Sequence, residues 1–176
     1  MKTLMQSLEG LRLKDIPWRR LTTAYGRATQ MPELIEQRRF REIASLIEHQ
    51  GTLWQATPWT LLFLLRRSAG RRIGELPEDE RFLYASVWEA ARQHDESGEP
   101  LPSYPDDPLE LLRDRRLLWP EEEDEEADEG CWMEEEPPGY DPSSFAAYFV
   151  YSRRLLEEAF PEDAAEERWI EQEGGR

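Results

Sequence analysis

Glu121 to Glu136 reads EEEDEEADEGCWMEEE, eleven carboxylates in sixteen residues with no Lys or Arg among them. Carboxylates at this density have three chemical uses: holding a hard cation, trading protons as an acid–base pair, or meeting a positive surface. The D-x-[DN]-x-[DN]-G spacing of a calcium loop is absent, which argues against the first. No two carboxylates stand out as a catalytic pair, so the second use has no residue to rest on. The third fits what interrupts the run. Cys131, Trp132 and Met133 have no use in a loop kept only for solubility, and Trp is enriched among interface anchors. Against a basic cleft the charge would speed encounter, and the steering would fade with salt. The expected contact residues are Glu121, Glu122, Glu123, Asp124, Trp132, Glu134, Glu135 and Glu136. Two other readings stand beside this one. The run is a solvated loop, as charge runs usually are, or it folds back onto arginine pairs of its own chain such as Arg19-Arg20.

The remaining reactive side chains offer less. His49 lies in H-Q-G-T at an expected helix end, and His94 is far along the chain. Neither fits a zinc or nucleophile spacing. A hydrolase using His49 would need a pocket of converging polar groups. Cys131 has acids for sequence neighbours, and these oppose the thiolate a nucleophile requires. Gly-rich phosphate loops, G-x-S-x-G and paired cysteines are all missing. The sequence therefore predicts no catalytic, cofactor-binding or metal-binding residue, and no enzyme.

The charge is unevenly spread. Residues 1–120 carry 18 acids and 18 bases, so the run supplies −11 of the formal net charge of −16. Such a chain is a poor ligand for nucleic acid, whose phosphates call for clustered Lys and Arg. With 39 % hydrophobic and 11 % aromatic residues there is enough to bury a core. The lone cysteine suits a reducing compartment. No secretory h-region follows Met1, and the longest apolar run, Trp59 to Leu65, is far short of the ~20 residues of a membrane span. The expectation is a soluble cytoplasmic protein with no membrane partner.

Several elements would carry these residues. Pro17 is placed to open a helix through WRRLTTAYGRA, and Pro32 one that runs to Gln50, with Leu34, Ile35, Ile43, Leu46 and Ile47 at helical spacing. Thr57-Pro58 reads as an N-cap and first turn. The helix it opens is apolar nearly all round and so belongs in the core. Pro77 with Glu78, Asp79 and Glu80 opens another, with acids at the positive end of its dipole. A proline-rich surface loop follows Ser97. LELLRDRRLLW then leads to Pro120 and the acidic run, and SSFAAYFVYSRRLLEEAF makes a second strongly apolar helix. Period-two alternation is nearly absent, so a sheet is improbable. The predicted fold is all-α, with residues 1–97 helical and residues 98–176 adding C-terminal helices and the acidic insertion 121–136 to the same compact domain.

Within the first region, Trp18, Ala24-Tyr25-Gly26 with Ala28, Pro32, His49-Gln50-Gly51-Thr52 and Ala56-Thr57-Pro58-Trp59 occur in a characteristic order. In these motifs the chain resembles bacterial HEAT-like helical-repeat proteins of the polymorphic-toxin immunity type. The resemblance implies antiparallel helix pairs and an inhibitor role. The partner it implies is a cognate toxin protein, and the acidic run makes a basic active-site cleft the natural target. The second half, where partner specificity would vary, matches no pattern of that family. The competing expectation is a non-enzymatic helical adaptor or regulator whose acidic loop only keeps it soluble.

Overall fold

The computed structural model describes residues 2–98, 103–134, 137–167 and 169. In chain order the elements are α1 (Leu4–Ser7), β1 (Thr22–Thr23), β2 (Gly26–Arg27), α2 (Met31–Glu36), α3 (Phe40–Ile47), β3 (Glu48–His49) and β4 (Thr52–Leu53). There follow α4 (Thr57–Ser68), α5 (Glu78–Glu96), α6 (Glu110–Arg113), α7 (Glu125–Met133), α8 (Pro142–Ala159) and α9 (Pro161–Glu166). The architecture is mainly helical. Among the described residues no helix is long and apolar enough to cross a membrane.

The apolar helices form the centre. Every residue of α4 from Thr57 to Leu65 is buried, as its all-round apolarity requires. It packs on α8, which buries Tyr148, Phe149, Tyr151, Leu155 and Leu156 on the facing side. The third member is α5, which lies against both α8 and α3. These contacts join the start of the chain to its end. Two further ties hold them: Glu158 of α8 accepts the Leu4 and Met5 amides of α1 at 2.7 and 2.9 Å, and Trp169 stacks on Trp88 of α5 at 5.2 Å.

Four expectations are corrected. The helix from Pro32 to Gln50 is broken: α2 ends at Glu36, and Arg38 adopts φ +55° before α3 begins. The turn is a local left-handed cap, with Arg39 N donating to Leu34 O at 3.0 Å, and α5 holds it from outside. Glu80 of α5, only 2 % exposed, receives Arg38 Nη2 at 3.3 Å, Tyr84 OH at 2.9 Å and the Ser68 hydroxyl. Thr57 is not an N-cap. Its hydroxyl donates to Ile47 O at 2.6 Å and accepts from Trp54 N at 2.8 Å, tying α3 to the turn before α4. Pro17 opens only a short 3-10 turn, Trp18–Arg20.

The fourth concerns strands. The two glycine motifs are antiparallel hairpins, β1–β2 and β3–β4, rather than breaks between helices. His49 is therefore a strand residue. Gln50 and Gly51 both have positive φ, +51° and +82°, as a two-residue loop matching strand twist requires. Strands of two residues are too short to show a period, so the sequence pattern could not announce them. Ala24 N donates to Leu46 O at 2.9 Å, tying the first hairpin to the end of α3, from which the second hairpin leads directly.

Candidate partner-binding surface

The first hairpin anchors the acidic segment, and Arg27 of β2 does most of the work. Its guanidinium is bidentate to Asp128, with Nε–Oδ2 at 2.7 Å and Nη2–Oδ1 at 2.9 Å. It also donates to Pro120 O at 2.6 Å, Arg19 O at 3.1 Å and Glu122 O at 3.2 Å. The side chain is 6 % exposed and lies over the Trp119 ring, 5.2 Å from its centroid. The hydrogen bonds it donates to Asp128, foremost among the causes, raise its pKa further above the usual guanidinium value. A charge held this way cannot be given up by titration.

Trp119 completes the anchor. Fully buried, it donates Nε1–H to Thr22 Oγ1 at 2.8 Å, and its amide pairs with Arg20 O at 2.9 Å. Thr22 in turn donates its hydroxyl to Pro138 O at 2.6 Å, so one β1 residue touches both ends of the acidic stretch. Gln55 bridges Thr22 N at 2.9 Å and Leu117 O at 2.6 Å. Gly139 closes the stretch with φ +79°, and a Cβ there would stand 2.9 Å from Tyr148 OH and 3.0 Å from Gln55. Gly139→Ala is expected to cost about 2 kcal/mol, from backbone strain plus the clash, readable as a lowered denaturation midpoint. A loss below about 0.5 kcal/mol would show that the turn is free to relax.

The predicted acidic loop is largely a helix. Residues 121–124 bend past Arg19 and Arg20 without regular structure, and α7 then spans Glu125–Met133. Asp124 caps it, its side chain accepting from Glu126 N at 3.1 Å and Ala127 N at 3.2 Å. Glu125, Glu126 and Asp128 fill the first turn, where the helix dipole offsets part of their repulsion.

The expected contact residues divide. Glu121 and Glu123 face Arg20 and Arg19 at 3.7 and 3.5 Å, and Glu123 also accepts from Thr29 Oγ1 at 3.2 Å. Asp124 is spent on its cap. Trp132 is half-buried against Trp54, with ring centroids 5.7 Å apart. The Glu122 and Glu134 side chains are exposed, and Glu135 and Glu136 lie outside the described residues. Among the described residues no cation pairs with Glu122, Glu125, Glu126, Glu129 or Glu134. Arg27 thus draws one carboxylate of α7 inward and leaves the rest displayed.

Sequence reasoning passed over the side chains around this helix. Tyr140 stacks on the other part of Trp54 at 5.8 Å, and a Cβ on Gly26 would sit 3.8 Å from Trp132 Nε1. Next to Gly26, Tyr25 sets its ring edge-on to His49, with OH and Nδ1 3.5 Å apart. Tyr25, Met133 and Tyr140 are 67, 79 and 50 % exposed. The tyrosine of A-Y-G and the W-M pair inside the acids were the available signals. Trp54, half-buried, links the core to this surface.

The other candidates have plain surroundings. The fold brings Arg27 near Cys131, which its acidic sequence neighbours did not suggest. The described residues contain no group of three or more His, Cys, Asp or Glu placed to share a metal ion. A cleft of about 690 Å³ lies beside Arg19, Arg20 and Glu121 with Ile16, Pro17 and Trp18, and His49 does not line it. Fold and surface together define a mainly helical protein that displays a capped acidic helix beside exposed aromatic rings. No protein-family model, curated protein or solved structure matches the chain.

Proposed function

We propose that this protein is an inhibitor of the immunity type, binding a cognate bacterial toxin and covering a basic active-site cleft. The supporting observation is the ordered display of unpaired carboxylates on α7, fixed by Arg27 before any partner arrives. Carboxylates held in advance cost less to bring into an interface than a mobile run would. A cleft that handles nucleic acid or nucleotide phosphates is the target such charge fits, since it already attracts anions. The membership in HEAT-like immunity proteins that the hairpin motifs suggest belongs to the same proposal, as does the cytoplasm of the producing cell as its place of action.

The test is growth rescue. The reading expects the gene directly upstream to encode a toxin with a basic C-terminal domain. That domain is expressed in a heterologous host, with and without this protein, and the lack of such a gene counts against the reading. Wild type is expected to restore growth. A variant with Glu122, Glu125, Glu126 and Glu129 changed to Gln is expected to associate about 10- to 100-fold more slowly and to rescue poorly. Equal rescue by both forms would move inhibition off α7, and no rescue by either would reject the reading. The adaptor reading has its own support, because Glu121, Glu123 and Asp128 are already matched to arginines of the chain. Under it, the Gln variant loses no partner.

A further inference from the structure

The surface beside α7 is more specific than a field of negative charge. Glu125 and Glu129 are one turn apart, and Trp132 follows three residues later, so two carboxylates and an indole share one flank of the helix. Met133 and Glu126 lie on the outer side; exposed Tyr140 stacks on Trp54, and exposed Tyr25 precedes Gly26, whose Cβ position is 3.8 Å from Trp132 Nε1. Carboxylates at the rim and ring faces within reach are the two things a guanidinium uses at once. A planar, weakly hydrated cation stacks on a ring while its N–H groups meet oxygen, and a compact, strongly hydrated ammonium does this poorly.

The chain already contains one example. Arg27 lies on the Trp119 ring at 5.2 Å while its fork closes on both oxygens of Asp128. We propose that the outer face repeats this recognition in trans: Trp132, Tyr25, Tyr140 and the α7 carboxylates form a docking surface for arginine side chains of a basic protein partner. This rests on the partner-binding reading above and gives it a chemical preference, arginine over lysine. Charge complementarity selects the occupant, since five carboxylates here lack a cation among the described residues.

The probes are two peptides, hexa-arginine and hexa-lysine, titrated into the whole protein at low salt and followed by two-dimensional NMR. Hexa-arginine is expected to bind about ten-fold tighter, and to shift the Trp132 indole N–H and the Met133 methyl together with the α7 amides. Tyr25→Ala and Tyr140→Ala alter ring side chains at least half exposed, so the fold should survive, and far-UV circular dichroism checks that it does. In the double variant the preference for arginine should fall below about three-fold. Equal affinity for the two peptides, or shifts confined to the α7 acids with silent aromatic signals, would overturn this inference while leaving charge-based occlusion standing. Failure of both peptides to bind would overturn the inference, and growth rescue would then decide the fate of the wider reading.

Discussion

Arg27→Met should release the acidic segment from the body of the protein at a cost of about 3 kcal/mol, because removing one partner of a buried pair strands the other. Met keeps an apolar stem and removes the fork, together with its stacking on Trp119. What is left behind is the Asp128 carboxylate and the carbonyls of Arg19, Pro120 and Glu122, all of which Arg27 had satisfied. Lys would not substitute, since a point charge cannot reach both Asp128 oxygens and three carbonyls in one geometry. The measurements are the midpoint of denaturant unfolding and hydrogen exchange resolved by residue. Exchange should accelerate across residues 121–133 and stay slow in α4 and α8. By contrast, Glu123→Gln removes an exposed pair with Arg19 and should change stability by less than about 0.5 kcal/mol. Unchanged exchange in α7 of the Arg27 variant would mean that the Trp132–Trp54 contact holds the segment alone.

How much of this could be read in advance follows from what each element depends on. The α4 and α8 helices carry their instructions locally, as apolar residues on all faces or on a broad one, and both were legible. The cap of α7 was legible in principle, since Asp124 followed by Glu125 and Glu126 is an N-terminal signal. Eleven like charges hid it, because their mutual repulsion argues for a loop until a cation is found. That cation is Arg27, 101 positions before Asp128, and no window of sequence contains both. The hairpins were illegible for a different reason, having two residues per strand. The aromatic part of the surface was half legible: Trp132 stood out among acids, whereas Tyr25, Trp54 and Tyr140 reach it only through the fold.

The turn at Arg38 is closed locally but gripped from a distance by Glu80, and that grip makes the second large prediction. Glu80→Ala should lower stability by about 3–4 kcal/mol, at the upper end for a single side chain outside the apolar core. Glu80 is 2 % exposed and collects the Ser68 hydroxyl, Tyr84 OH and Arg38 Nη2. Burial first, and the Glu80 charge next, raise the Tyr84 phenol far above its ordinary pKa, so it remains a donor at every working pH. Truncation leaves two buried hydroxyls without an acceptor and one guanidinium without its anion. Glu80→Gln keeps an acceptor of the same size and should cost only about 1–2 kcal/mol. Arg38→Gly separates the pair from the backbone, since glycine accepts φ +55° without strain and offsets part of the lost contact. It should fall within about 1 kcal/mol of wild type. Chemical denaturation of the three variants gives the order, and a Glu80→Ala loss below 1 kcal/mol would show that water or relaxation replaces the carboxylate. The effect on binding should be indirect. The Arg38 turn sets the direction of α3, whose end carries His49 to Tyr25. Glu80 variants should therefore bind with native affinity wherever they are folded, while Arg27→Met, folded or not, should lose the ordered acidic face.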